Sequence, residues 1–152
     1  MKAKDTVGYQ VKATWQSIVK MYNRVTSEND FSQAIGYVLI NVKKEGIPVT
    51  KIAPLMGIEP TSLSRLLKTM EEKGLVYRQK DDKDRRVVKL FLTEKGFEFK
   101  KISRKIVLDY NKMIYENISD EDMEVFFSVI NRVRKLTCQV GVSEEELLSK
   151  NC

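Results

Sequence analysis

Apolar residues recur along this chain at two spacings, and the points where the spacing changes divide it into elements. From Asp5 or Thr6 onward, Val7, Val11, Trp15, Ile18, Tyr22 and Val25 repeat at helical intervals, and the pattern fades over residues 26–30. Ser32 stands as the N-cap of a second helix, with Ile35, Val38, Leu39 and Val42 on one face and an end near Gly46. A short third helix is expected from a Thr50 N-cap, with Ile52, Leu55 and Met56 inward, Pro54 in its first turn and Gly57 as its left-handed stop. A fourth opens with Pro60 at its first helical position, with Ile58 and Leu63 spaced as a hydrophobic staple. Its buried stripe is Leu63, Leu66, Leu67 and Met70, and Gly74 closes it with Leu75 folding back on Met70.

At Val76 the period falls to two. Strands are expected over Val76 to Lys80 and residues 87–92, where Val88, Leu90 and Leu92 alternate with Val87, Lys89 and Phe91. The charged turn of residues 80–86 joins them, and Ile47-Pro48-Val49 supplies a minor third strand. Thr93 then starts a long helix through Phe97, Ile102, Ile106, Tyr110, Met113 and Ile114 to about Asn117. Ser119 restarts the helix with an acidic first turn, Asp120, Glu121 and Asp122, which suits the helix dipole. Phe126, Phe127, Ile130, Val133, Leu136 and Val140 follow. Gly141 stops that helix, and Ser143 with Glu146 forms a capping box for a short last one. The fold class is therefore mostly α with a small β-hairpin wing (α+β). One domain of residues 1–152 holds a winged helix-turn-helix lobe at 47–92, with helical regions at 5–46 and 93–150 outside it.

The fourth helix presents Thr61, Ser62, Ser64, Arg65 and Lys68 opposite its apolar stripe. Such a polar face is ordinarily a solvated surface. This one begins with short hydroxyl side chains, which allow close approach to a duplex, and continues into an arginine able to read guanine through two parallel hydrogen bonds. Between Pro60 and Leu90 nine basic residues stand against five acidic ones, and Lys83, Asp84, Arg85 and Arg86 crown the turn between the strands. Double-stranded DNA is the partner these features fit. Asp84 is placed to hold the Arg85 guanidinium extended toward a minor groove.

The ordered motifs resemble the MarR family (multiple-antibiotic-resistance regulators) of bacterial winged-helix transcription factors. They are Ile52-Ala53, Ser62-Leu63-Ser64-Arg65-Leu66-Leu67, Met70-Glu71-Glu72-Lys73-Gly74-Leu75-Val76, Asp81-Asp82-Lys83-Asp84-Arg85-Arg86 and Leu90-Phe91-Leu92-Thr93-Glu94-Lys95-Gly96. The resemblance covers roughly Ser32 to Ile118. It departs at Lys83, where arginine is usual, at Pro54, and at Ser62 and Ser64, where threonine is usual; these bear on the operator sequence and not on the fold. It implies a sequence-specific regulator, a repressor released by a small ligand, and a homodimer built through the terminal helices. Two-fold symmetry then sets the recognition helices about 34 Å apart on a palindromic site. Trp15, Tyr22 and Tyr37 are expected to line a pocket for a small aromatic or phenolic ligand. The other reading kept open is a winged helix used as a protein-interaction or architectural module without its own operator.

Composition narrows the remainder. A formal net charge of +6 suits a polyanionic partner. With no histidine the chain lacks Ser-His-Asp and Cys-His catalysis and any histidine-containing zinc site. Ser17-Ile18-Val19-Lys20 matches S-x-x-K without the partner motifs of the enzymes that use it. No glycine-rich phosphate loop appears. No enzyme activity, cofactor or metal is expected. No apolar run has membrane-spanning length and no signal peptide opens the chain, so a cytoplasmic protein is expected. Cys138 and Cys152 suggest no disulfide scaffold, and Cys138 reads as a small core or interface residue.

Overall fold

The computed structural model describes residues 2–140, which divide between Leu108 and Asp109 into two compact units. The Gly141 stop expected for the helix that begins at Ser119, the short last helix expected over Ser143 and Glu146, and Cys152 lie outside the described residues.

In the first unit, a 3₁₀ turn at Ala3–Asp5 leads into α1 (Val7–Ser27), whose N-cap Thr6 accepts the Tyr9 amide as anticipated. Helix α2 (Gln33–Asn41) starts from Ser32 but stops before Gly46, because Val42 already has extended backbone. Strand β1 (Ile47–Pro48) is followed by a 3₁₀ turn at Val49–Lys51 and then by α3 (Ile52–Met56). Thr50 is therefore inside the 3₁₀ turn and caps nothing; Lys51 holds the N-cap position without a side-chain bond. Helix α4 (Pro60–Glu72) begins at Pro60 as anticipated, and strands β2 (Val76–Lys80) and β3 (Val88–Leu92) follow. Helix α5 (Glu94–Asn117) gives residues 94–108 to the first unit.

Both helices of the turn motif end the same way. Gly57 and Gly74 have φ of +62° and +68°, a conformation that costs a side-chain-bearing residue. Past each, the chain folds back: Ile58 N–H donates to the Ala53 carbonyl at 3.2 Å, and Leu75 N–H to the Met70 carbonyl at 2.9 Å. These two stops give α3 and α4 their lengths.

The sheet is antiparallel in the order β1-β3-β2, with Val76 opposite Leu92, Arg78 opposite Leu90 and Ile47 also beside Leu90. Pro48, lacking an amide donor, falls on the edge strand, where the loss is harmless. The sheet's inner face and three helices share one core. Val38, Leu39, Val42, Ile52, Leu67, Met70, Leu75 and Leu90 are almost fully buried, and the rings of Phe31 and Phe99 meet at 5.3 Å along its border.

Helix α5 is attached to this core through a close approach. Thr93 accepts the Gly96 amide at 3.0 Å as an N-cap and donates its hydroxyl to the Gly74 carbonyl at 2.6 Å. A Cβ on Gly96 would lie 2.0 Å from the Leu75 carbonyl oxygen.

The second unit comprises the rest of α5 and α6 (Asp120–Gln139), whose N-cap Ser119 accepts the Asp122 amide at 3.1 Å. Its acidic first turn sits where the helix dipole favours negative charge. Cys138, read from sequence as a small core or interface residue, is half-buried in α6 and disulfide-bonded, although the two cysteines had suggested no disulfide scaffold.

Each unit leaves apolar side chains in solvent. In the first these include Val7, Val11, Trp15 and Leu108; in the second, Met113, Val125, Phe126, Val129 and Leu136. Among the described residues no helix is long and apolar enough to cross a membrane.

Gly96→Ala should lower stability by about 1–3 kcal/mol, since the backbone carbonyl it meets cannot rotate away as a side chain could. Gly8→Ala, on an α1 face with nothing within 4 Å, should leave stability unchanged or raise it. Chemical denaturation of the two variants checks both.

Candidate nucleic-acid interface

Helix α4 turns Leu63, Leu67 and Met70 into the core, which fixes its rotation. Thr61, Ser62, Ser64, Arg65 and Lys68 consequently share the exposed face, as their spacing required. Ser64 donates its hydroxyl to the Pro60 carbonyl at 2.9 Å, and Lys68 lies 3.8 Å from Glu72, a loose solvent-exposed pair. Among the described residues no hydrogen bond or ion pair engages the Arg65 guanidinium.

The far end of α4 is tied on three sides. Arg78 of β2 pairs with Glu71 at 2.9 Å, which links wing to helix. Lys95 of α5 donates to the Lys73 carbonyl at 2.9 Å. Lys73 itself reaches the turn between α1 and α2, donating to both the backbone carbonyl and the carboxylate of Asp30 at 2.9 Å. Asp30 holds a positive φ of 59° there, and the Lys73 hydrogen bond and charge lower its pKa. None of these ties was anticipated from sequence, because each joins residues far apart in the chain.

The tip of the wing is organised by two carboxylates. Asp81 accepts the amides of Lys83 and Asp84 at 3.0 Å each and pairs with Lys89 across the hairpin. Its pKa is lowered to about 2, chiefly by the Lys89 hydrogen bond and then by the Asp84 amide. Asp84 grips Arg86, not Arg85 as anticipated. Its two oxygens accept from Nε and Nη2 of that arginine at 3.0 Å, and Oδ1 also accepts the Arg86 amide. The reason is local: the turn brings the Arg86 amide onto Asp84, and the guanidinium follows its own backbone. That contact lowers the Asp84 pKa and raises that of Arg86. Arg85 and Lys83 stay exposed beside it, and among the described residues no hydrogen bond or ion pair holds the Arg85 side chain. The spacing Asp81-x-Lys83 was a legible signal for the loop-closing role of Asp81, since an aspartate readily bonds the amide two residues on.

The expected ligand residues divide between two clefts that share Tyr37. Tyr22 and Tyr37, with Thr26, Gly36 and Ser103, line one of about 50 Å³. Trp15 and Tyr37, with Met56 and Ile58, line another beside the α3–α4 turn, and Trp15 remains 52% exposed. No cluster of potential metal ligands occurs among the described residues.

Residues 42–88, from the end of α2 through the wing loop to the start of β3, match the MarR family. Over that segment the chain is similar to the MarR family. The chain is 29% identical over 101 residues to the HTH-type transcriptional repressor MdtR of Bacillus subtilis, covering 63% of this chain and 65% of that protein. It is 25% identical over 99 residues to the uncharacterized HTH-type transcriptional regulator YybA of the same organism, covering 65% and 66%. The chain thus spans just under two thirds of the length of these curated relatives. Among solved structures, Staphylococcus aureus MepR in complex with DNA superposes with a TM-score of 0.77 at 20% identity, over 86% of this chain and 97% of that one. CouR of Rhodococcus jostii bound to p-coumaroyl-CoA gives 0.75 at 21%, over 94% and 99%. At those identities the MarR-type fold is what the likeness establishes.

The folded-state pKa of Asp81 lies below its ordinary carboxylate value, so the wing-tip contacts it makes are present above that ordinary value and are lost as pH falls through about 2. A carboxyl-carbon NMR titration should place the Asp81 midpoint near 2. Asp81→Ala should speed amide exchange at Lys83 and Asp84 while leaving the core amides of Leu75 and Leu90 protected. A midpoint at the ordinary aspartate value would contradict the observed loop.

Proposed function

We propose that this protein is a sequence-specific, DNA-binding transcription regulator that acts as a homodimer on a palindromic operator. It represses in the unliganded state and is released by a small molecule. The observation that carries the reading is the exposed face of α4, where Thr61, Ser62, Ser64, Arg65 and Lys68 are held outward by a buried opposite face and no acid of the same face occupies Arg65. A helix so presented fits the major groove, where base edges are distinguishable. The folded wing supports it by carrying Lys83, Arg85 and Arg86 on a loop already ordered by Asp81 and Asp84, and a narrow minor groove attracts such arginines.

The uncovered apolar side chains support the dimer. Trp15 on α1 and Val125, Phe126, Val129 and Leu136 on α6 are more than a monomer gains by exposing, and a second copy is the occupant that two-fold DNA recognition requires.

In this assignment Arg65 reads base edges, Lys68 contacts phosphate, and Arg85 enters the minor groove while Arg86 is oriented by Asp84. Arg65→Ala should cost roughly 1–3 kcal/mol per half-site and flatten sequence preference. Lys68→Ala should weaken binding to all sequences and reduce the salt slope by about one unit. Arg85→Ala should chiefly reduce preference for A·T-rich flanks. Titration of each variant against the DNA upstream of its own gene and a scrambled duplex, over a range of salt, measures all three. Unchanged affinity in both arginine variants would remove the DNA-binding reading. Sedimentation should give a dimer at micromolar concentration, and a stable monomer would remove the two-fold arrangement.

A further inference from the structure

The wing reaches beyond the core that supports its base. Alternation puts Val76, Arg78 and Lys80 of β2 on the face turned toward α4, opposite Leu92, Leu90 and Val88 of β3. The first two of these rows are anchored by Val76, Leu90 and Leu92, all buried in the common core. In the third, Val88 is already 38% exposed and Lys80 stands in solvent. Packing therefore fixes the base of the hairpin and leaves its outer half unsupported.

Arg78 sits where that packing ends. Its Nε lies 2.9 Å from Oε1 of Glu71, in the last turn of α4, and the two side chains are 40% and 35% exposed. Among the described residues no other hydrogen bond or ion pair joins β2, β3 or the loop between them to α4. The neighbouring pair on α4, Lys68 with Glu72, is longer at 3.8 Å and far more exposed, so solvent leaves it little orienting force. The Arg78–Glu71 pair is the tie that can hold the outer wing at one angle to the helix.

The leverage is geometric. At the rise of an extended strand, the hairpin runs roughly 16 Å from Arg78 to the tip at Lys83. A tilt of about 10° at Arg78 thus moves the tip by about 3 Å, close to the rise of one base pair.

We propose that Arg78 and Glu71 are positioning residues whose ion pair sets the pitch of the wing against α4, and so sets which flanking base pairs the wing reads once α4 is seated in its half-site. This rests on the DNA-binding reading above. Neither side chain has to touch DNA. The pair makes the spacing between core half-site and flank a property of the protein, and an operator with the right core but a displaced flank is rejected.

Selection from random duplexes with the full-length protein supplies the operator for the test. Affinity is then measured on that operator, on one whose flank is replaced by G·C pairs, and on one whose flank is shifted outward by a single base pair. The unaltered protein should prefer the first over the other two by at least about fivefold, the low end of what one mismatched base pair costs. Glu71→Ala and Arg78→Ala should each bring that preference below about twofold while keeping the preference for the half-site core over a scrambled core, which Arg65 reads. Exchanging the charges, Glu71→Arg together with Arg78→Glu, should restore the flank preference. Alanine at these partly exposed sites leaves the core intact, so the single variants carry the test if the exchanged pair does not fold. Other roles predict different outcomes. If Arg78 contacts phosphate directly, Arg78→Ala weakens all three duplexes equally and Glu71→Ala, which removes a negative charge, strengthens binding. If the pair only stabilises the fold, both variants lower Tm and leave the preferences unchanged. Either pattern, a folded exchanged pair that restores nothing, or an unaltered protein indifferent to the shifted flank overturns the proposal. Selection that yields no preferred sequence at all overturns the regulator reading itself.

Discussion

The two residues that stop the recognition helix, Gly74 and Leu75, are the constraint on which the rest of the first unit depends. Gly74 takes the left-handed turn, Leu75 returns its amide to Met70 and then buries its side chain completely. The same pair is the seat of α5. Thr93 bonds the Gly74 carbonyl by its hydroxyl and the Leu75 carbonyl by its amide, and Gly96 lies against that second carbonyl with no room for a methyl group. One backbone joint therefore sets where α4 ends, how β2 leaves it and where α5 begins. A shift there would move every side chain on the exposed face of α4, because in packed interiors a small volume change is not absorbed locally.

The wing relies on electrostatics where the helix relies on packing. A basic loop carrying Lys80, Lys83, Arg85 and Arg86 would repel itself open in isolation. Asp81 and Asp84 offset that repulsion and spend their oxygens on backbone amides as well as on cations. Charge-assisted bonds of this kind are among the stronger polar contacts, and an arginine held through two nitrogens loses much of its freedom before any partner arrives. The acidic residues in this basic loop are thus structural counterparts of its arginines. Their lowered pKa values record the same contacts.

The turn between α1 and α2 is fastened to the end of α4. Asp30 adopts a conformation uncommon outside glycine, and the contact that holds it comes from the recognition helix. The polar lining of the adjacent cleft begins at Thr26, at the end of α1. A turn in this conformation, fastened to α4 and bordered by the cleft, ties the end of that helix to α1 and α2.

Much of this protein was legible in its sequence because much of its information is local. The helix-turn-helix joints follow from Gly57, Pro60 and Gly74, whose backbone preferences act within a few residues. The strands follow from alternation, and the outward set Thr61, Ser62, Ser64, Arg65 and Lys68 follows from helical periodicity against a buried stripe. The N-caps Thr6, Ser32 and Ser119 were readable for the same reason. Local rules failed where a neighbour outcompeted them. Thr50 lost its capping role to a 3₁₀ turn, and Asp84 bound the arginine whose amide it already held. What only the tertiary structure decided joins residues that no local rule brings together: Lys73 with Asp30, Arg78 with Glu71, and Gly96 against Leu75. No periodicity encodes those meetings, because they arise when separately specified elements are packed together. The sequence alone determined the elements and the face that α4 exposes; the packed fold decided what holds α4 in place.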